Sequence, residues 1–204
     1  MHLQWLGQTC VKLQTKNLDE DVVILIDPYR PAKGDFPRYF SPQIGLFSHG
    51  TGDAVTLSQN PLVLDTLGEC ETKGVMVYSL TSNEENLVFK INAEGMNVVH
   101  LGKMKKKIEN GDLEKIGSVD ILFIPVGDGE YLNPEDAANL VTALEPRIVI
   151  PIAHQCDTDP KALPVSAFIK EMGLKPEATD KKIIIKQKDL PQEETKLFVL
   201  EKNY

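Results

Sequence analysis

The run His49-Gly50-Thr51-Gly52-Asp53-Ala54 follows a short apolar segment, Ile44–Ser48, which has the composition of a buried strand. Histidine and aspartate at the end of a strand are residue types that bind transition metals in proteins. Thr51 and Ala54, which alternate with them, are poor zinc ligands. The run therefore resembles a metal-binding motif in which half of the ligands are missing.

Composition indicates an ordinary globular protein. The 204 residues are 42% hydrophobic and 25% charged, and we expect them to form a single domain over residues 1–204. The net charge of −8 disfavours binding to nucleic acids or to anionic membranes. No apolar run is long enough to span a membrane, and the N-terminus does not resemble a signal peptide. Three widely spaced cysteines, at positions 10, 70 and 156, fit reduced thiols in a cytoplasmic protein.

Hydrophobic periodicity divides the chain into two halves. The first half consists of short strand-like segments, whereas strands and helices alternate after residue 120. Asn133 followed by Pro134 predicts the start of one helix. A second helix is predicted over Val165–Met172, with Gly173 as the signal that ends it. This order of elements predicts an α+β fold, with a layered αββα architecture as its natural form.

Six segments, in this order along the chain, are similar to one branch of the metallo-β-lactamase superfamily. That branch contains proteins like L-ascorbate-6-phosphate lactonase and small bacterial Zn-dependent hydrolases. The resemblance implies a four-layer αββα sandwich with mixed sheets. The matching segments are Leu3–Cys10, Ile24–Pro28, Phe47–Gly50, Val98–Gly102, Asp120–Gly127 and Val149–Ile152.

Most of the family's metal ligands are replaced at the matching positions. His49 and Asp53 are in place, which is two of the seven usual ligands. The other five positions carry Thr51, Ala54, Ser79, Lys103 and Ala153, with His154 displaced by one residue from the last of them. In the opening motif, Gln8 stands where the family usually has a histidine. A dinuclear site of this type needs about five imidazoles, and the chain has four histidines in all. The resemblance therefore predicts a degenerate zinc site and no metal cofactor.

We expect the remaining residues to line a vestigial cleft, for which no catalytic residue is assigned. Its predicted members are His49, Thr51, Asp53, Ala54, Ser79, Lys103 and His154. One alternative keeps a single Zn or Mn ion on His49, Asp53 and His154. His100, as a strand residue, is not an expected ligand.

Lys103 belongs to the densest basic cluster of the chain, with Lys105, Lys106 and Lys107. Charge clusters usually lie on solvated surfaces, but the resemblance places this loop beside the cleft. A small anion such as a phosphate could therefore bind between residues 103 and 107.

These observations predict a hydrolase homologue with a non-catalytic binding or structural role, acting as a homo-oligomer or with a protein partner. One alternative is an active metallo-β-lactamase-fold hydrolase that uses one atypically bound metal or a metal-free mechanism. Another is a small-anion sensor with Lys103 in the cleft.

Overall fold

A computed structural model describes residues 1–37, 40–81, 86–106, 110–177 and 180–204. These residues form thirteen strands, three α-helices and one turn of 3-10 helix at Gln187–Asp189. The helices are α1 Asn110–Ile116, α2 Pro134–Leu144 and α3 Val165–Met172. The strands are β1 His2–Trp5, β2 Val11–Asn17, β3 Glu20–Ile26, β4 Ile44–Leu46, β5 Leu62–Leu64, β6 Gly68–Thr72, β7 Val75–Thr81, β8 Leu87–Ala93, β9 Met96–His100, β10 Ile121–Pro125, β11 Ile148–Ile152, β12 Ile183–Ile184 and β13 Lys196–Leu197.

The strands form two mixed sheets. The first sheet has the order β12-β1-β2-β3-β4-β5, and the second has the order β13-β11-β10-β9-β8-β7-β6. Strands β3, β4 and β5 run parallel to one another in the first sheet. In the second sheet β9, β10, β11 and β13 are parallel. Since parallel neighbours end at the same edge, the loops that follow β3 and β4, and those that follow β9, β10 and β11, leave each sheet together.

The main hydrophobic core lies between the two sheets. Alternating residues of β2 and β3, such as Leu13 and Ile24, pack against residues of the second sheet, such as Phe89 and Phe123. A second core covers the other face of the second sheet, where Leu122 contacts the helical layer. All three helices contribute to this second core and, within the described residues, none contributes to the first.

The predicted αββα sandwich class is confirmed, and so are both helices predicted from their end signals. The side chain of Asn133 accepts a hydrogen bond from the Asp136 backbone N–H at 2.8 Å, as an N-cap does. Gly173 ends α3 in a left-handed conformation with φ 63°. Helix α1 and strand β6 were not predicted. The β6 sequence Gly-Glu-Cys-Glu-Thr has no apolar alternation because the strand lies at a sheet edge with most of its residues exposed.

Glu94 joins the two sheets at the turn between β8 and β9. Its carboxylate accepts hydrogen bonds from the Thr15 hydroxyl at 2.8 Å and the Lys16 backbone N–H at 2.9 Å. The Met1 amino group also donates to it, at 2.6 Å. These contacts keep the pKa of Glu94 below its usual value despite the opposing effect of burial. Three donors from the first sheet therefore hold the turn of the second.

Gly127 lets the loop after β10 lie against the loop after β11. A Cβ atom at this position would lie 2.1 Å from the Ala153 carbonyl oxygen, which belongs to the backbone and has little freedom to move. The Leu163 N–H also donates to the Gly127 carbonyl at 2.8 Å. Close backbone packing here fixes the spacing of the loops that follow β10 and β11.

We expect Gly127→Ala to lower the free energy of unfolding by about 1–3 kcal/mol, because the new methyl group overlaps the Ala153 carbonyl. Urea unfolding at neutral pH measures this change. Gly52→Ala is the matched control, since its Cβ would meet no atom within 4 Å. Equal stability of the two variants would contradict the assigned packing.

Candidate functional site

A cleft of about 150 Å³ opens where the loops after β3, β4 and β9 meet. Its lining includes His49, Asp53, Ala54 and Lys103, together with the segment Gln8–Thr9 and Tyr131. Four members of the predicted cleft are therefore brought together. They come from two segments that are about fifty residues apart in the sequence, so only the sheet topology places them side by side.

Three other predicted members are placed elsewhere. Thr51 lines a neighbouring depression that it shares with Arg30. Ser79 lies in β7, buried, and donates its hydroxyl proton towards the carbonyl oxygens of Thr66 and Gly68 at 2.6 and 3.1 Å. It therefore holds the turn between β5 and β6 and is not among the residues that line the cleft.

His154 is also outside the lining of the cleft. Its side chain is 7% exposed and packs on Trp5, with 4.1 Å between the ring centroids. Burial lowers the pKa of His154 to about 4, so the imidazole is neutral at pH 7. The Nε2 atom has no hydrogen-bond partner among the described residues. This residue serves the packing of the loop after β11.

A buried carboxylate holds His49 in place. Asp27 directly follows β3 and is 4% exposed, with a φ of 48°. It accepts a hydrogen bond from the Ser48 backbone N–H at 2.6 Å and another from the Ser48 hydroxyl at 2.7 Å. The same hydroxyl oxygen lies 2.9 Å from Nδ1 of His49. Because the hydroxyl has one proton, which it gives to Asp27, it must accept the Nδ1–H of His49.

The resulting chain of Asp27, Ser48 and His49 fixes the neutral imidazole as the Nδ1–H form. Its Nε2 atom is then an acceptor and can bind a proton donor or a metal ion. An orienting partner on the second nitrogen is typical of histidines that bind metals. His49 retains the local arrangement of a ligand, although its side chain is 37% exposed.

The remaining donors do not complete a metal centre of the family type. In the part of the chain that the structure describes, no three His, Cys, Asp or Glu side chains form a group that could hold one metal ion. His100 is fully buried: its Nε2–H donates to the Thr9 carbonyl at 2.8 Å, while Nδ1 accepts from the Gly102 N–H at 3.0 Å. Burial lowers the pKa of His100 as well, and both of its ring nitrogens are engaged. The donor set therefore does not fit a dinuclear site.

Lys103 supplies a positive charge to the cleft. Its backbone N–H donates to the Asn86 side chain at 2.7 Å, which fixes the start of the loop after β9. The ammonium group lies 3.4 Å from the carboxylate of Glu130, and the ammonium of Lys105 lies 3.6 Å from the same carboxylate. The contact with Lys103 lowers the pKa of Glu130 below its usual value. Of the other basic residues, Lys106 is exposed, and Lys107 lies outside the described residues.

Sequence reasoning missed Ser48, Asn86 and Glu130 as parts of this site. Ser48 stands next to the motif, but a serine beside a histidine carries no distinctive pattern. Asn86 and Glu130 lie in other loops, and their contacts depend on how strands β8, β9 and β10 align.

Comparison with known proteins supports the resemblance inferred from the motifs. The chain matches the family model described as a β-lactamase superfamily domain over residues 2–153. A UPF0173 metal-dependent hydrolase from Lysinibacillus sphaericus is 25% identical over 200 residues, covering 76% of this chain and 85% of that protein. A UPF0173 metal-dependent hydrolase from Symbiobacterium thermophilum is 35% identical over 68 residues, which is 31% of this chain and 30% of the relative.

Solved structures share the fold over nearly the whole chain. One from Thermotoga maritima, whose name describes a Zn-dependent hydrolase of the metallo-β-lactamase superfamily, has a TM-score of 0.81. It is 24% identical and covers 98% of both chains. A metallo hydrolase from Ignicoccus hospitalis has a TM-score of 0.63 at 14% identity, covering 84% of this chain and 90% of that protein.

These names correct one prediction made from the sequence. The expectation of no metal cofactor is wrong in view of relatives that are named metal-dependent or Zn-dependent hydrolases, because such names imply a metal cofactor. The expectation rested on the count of missing ligands, which concerns the dinuclear arrangement and does not exclude a metal held in another way.

No helix in the described ranges is long and apolar enough to cross a membrane.

Acidification should destabilise the protein through His154. Its pKa is about 4 when folded and 6.5 when unfolded, so between these values the unfolded state binds a proton that the folded state does not. Stability therefore falls as the pH drops from 6.5 towards 4, by about 2 kcal/mol at pH 5 from this residue.

Unfolding free energies of the wild type and His154→Phe between pH 7 and 4.5 measure this contribution. In the variant, the number of protons taken up on unfolding in this pH range should be about one lower than in the wild type. A phenyl ring can pack on Trp5 but does not titrate. His49→Phe is the control at a more exposed histidine. An unchanged pH slope in His154→Phe would refute the assignment.

Proposed function

Because the chain belongs to the β-lactamase superfamily, we propose that it keeps the metal-dependent hydrolase fold while its cleft binds a small anion. In this proposal the dinuclear zinc site of the family is degenerate, and hydrolysis by a hydroxide bound between two zinc ions does not take place. The single observation that carries the proposal is the Lys103 ammonium on the cleft, where the family resemblance places a ligand carboxylate.

The chemistry of the cleft favours an anion over a second divalent cation. An ammonium group repels a divalent cation and attracts a phosphate or carboxylate, most strongly where the surroundings exclude water. His49 and Tyr131 line the same space. The Tyr131 hydroxyl donates to Asp159 at 3.0 Å and the neutral form of His49 presents Nε2 as an acceptor, so Lys103 is the group that attracts the anion. A volume of about 150 Å³ is sufficient for a small anion.

Glu130 gives further support, since it already places a carboxylate on Lys103. The pair is partly exposed: the side chain of Lys103 is 36% exposed and that of Glu130 is 69% exposed. Exposed ion pairs contribute little to stability, so an incoming anion can replace Glu130 at small cost. Glu130 in this proposal occupies the anion position in the ligand-free protein.

A hydrolase with one atypically bound metal is the second candidate function. It is favoured by the Nδ1–H form of His49, which leaves Nε2 as a potential ligand, and by the names of the relatives. The set proposed for it from the sequence was His49, Asp53 and His154. Two of these residues line the cleft, whereas His154 is buried against Trp5. A single metal would therefore need a further ligand from outside that set.

Metal content and activity separate the two candidates. We expect protein saturated with Zn²⁺ or Mn²⁺ and then desalted to retain fewer than two ions per chain, because the residues that the structure describes include no group of three metal-binding side chains. The same samples should not hydrolyse p-nitrophenyl acetate or bis(p-nitrophenyl) phosphate above the rate of His49→Gln. Two retained ions per chain with activity lost in His49→Gln would overturn the proposal. One retained ion with such activity would establish the second candidate.

Inorganic phosphate should raise the melting temperature more than sodium chloride of equal ionic strength, since a ligand of the folded state stabilises it. Lys103→Ala should weaken phosphate binding roughly tenfold. Glu130→Gln should strengthen it about two- to fivefold, because the competing carboxylate is gone. Asp128→Asn removes the same charge from the same loop and, having no described contact with Lys103, controls for net charge. Phosphate affinity unchanged in Lys103→Ala would exclude the proposed site.

A further inference from the structure

A cavity of about 650 Å³ lies on the side of the first sheet that faces away from the second sheet. Its floor is Leu25 of β3, which belongs to a separate apolar cluster, whereas the adjacent Ile24 and Ile26 point into the core between the sheets. Segments 30–37 and 55–58 form its walls. Cavities of this size commonly hold small organic molecules.

Packed aromatic side chains give the cavity a defined wall. Phe36 is buried and contacts Tyr29 and Phe40 with ring centroids 5.8 and 6.3 Å away. Tyr204 packs on the other side of Phe36 at 5.6 Å, and its hydroxyl bonds the Tyr29 hydroxyl at 2.5 Å. Edge-to-face packing of this kind fixes the ring of Phe36 independently of any ligand.

The opposite wall, formed by residues 55–58, packs directly against the first sheet. Gly45 of β4 has no side chain, and a Cβ atom there would lie 2.5 Å from the Cδ1 atom of Leu57. Leu57 can therefore lie directly on β4 because position 45 of that strand has no side chain. Val55, beside it, completes an apolar surface that faces the same cavity.

Arg30 adds one fixed positive group to this apolar surface. Its backbone N–H donates to the Asp53 carbonyl at 2.9 Å, and its Nε–H donates to the Ala54 carbonyl at 3.0 Å. These bonds anchor the guanidinium at one edge and leave its two amino groups for a ligand. Within the described residues the guanidinium has no ion-pair partner, although Asp35 also lines the cavity.

We propose that this cavity is a second ligand site, distinct from the cleft, that binds a small amphipathic monoanion such as an aromatic carboxylate. The ring of the ligand packs among Phe36, Phe40 and Leu57, and its carboxylate pairs with Arg30. The guanidinium group suits a carboxylate, which it binds in the forked geometry that such groups favour. The negative charge of Asp35 disfavours ligands that carry several negative charges.

The site lies next to the cleft without sharing its lining. Tyr29 pairs with Ala54 in a short β-bridge, and this ribbon separates the two spaces. Arg30 lies on the cavity and Asp53 on the cleft. Binding in the cavity therefore does not depend on Lys103 or on the function proposed for the cleft.

The test compares 2-naphthoate with the neutral 2-naphthalenemethanol, using titration calorimetry and melting temperature on the whole chain. We expect wild-type protein to bind 2-naphthoate, and Arg30→Gln to bind it roughly tenfold more weakly. Arg30→Gln should leave the binding of 2-naphthalenemethanol unchanged, whereas Arg30→Lys should recover part of the affinity for 2-naphthoate. Arg147→Gln, which removes a partly exposed arginine paired with Asp120, is the charge-matched control.

Thr56→Trp provides a second variant that does not touch the arginine. Thr56 is an exposed residue of the cavity wall, so a large ring there should fill the cavity and weaken both ligands without unfolding the chain. The proposal is overturned if 2-naphthoate does not bind, or if its affinity is the same in Arg30→Gln and Thr56→Trp as in the wild type. It is also overturned if Lys103→Ala abolishes binding of 2-naphthoate, because the ligand would then occupy the cleft.

Discussion

The buried carboxylate of Asp27 is the contact on which the rest of the site depends. A carboxyl group with 4% exposure is costly unless hydrogen bonds replace its water, and Ser48 supplies two of them. These bonds join the ends of β3 and β4 and leave the serine oxygen to orient His49. The Ser48 carbonyl also accepts the N–H of Leu87 at 2.7 Å, which attaches the second sheet to the same point. Asp27 and Ser48 together thus link the first sheet, the second sheet and His49 at one point.

The cleft combines a buried framework with partly exposed charged groups. Asp27, Ser48 and the buried His100 are framework residues, and all of their polar contacts are internal. Lys103 and Glu130 are surface residues with a replaceable ion pair. The stability of this framework comes from burial and hydrogen bonding.

Local patterns identified those parts of the fold in which burial and sequence periodicity coincide. The fully buried strands β10 and β11 read as continuous apolar runs, and Asn133 and Gly173 marked helix ends through their own backbone chemistry. Strand β6 escaped prediction because an edge strand need not alternate. The cleft could be predicted in part: His49, Asp53 and Lys103 were recognised from their motif positions. Ser79 and His154 were assigned to the cleft from their motif positions, but neither lines it. Motif position alone does not fix where a side chain points, because neighbouring residues of a strand face opposite surfaces.

The sequence by itself determined the superfamily and the sandwich class, because these follow from residue identities in a fixed order. Tertiary structure decided which of the remaining polar groups share one space. It placed Lys103 beside Glu130, bound Ser48 to Asp27 and buried His154 against Trp5. Each of these contacts joins segments brought together by strand pairing or loop packing, and no local pattern encodes such a distance. The cavity next to Arg30 belongs to the same category, since its two walls come from loops on either side of β4.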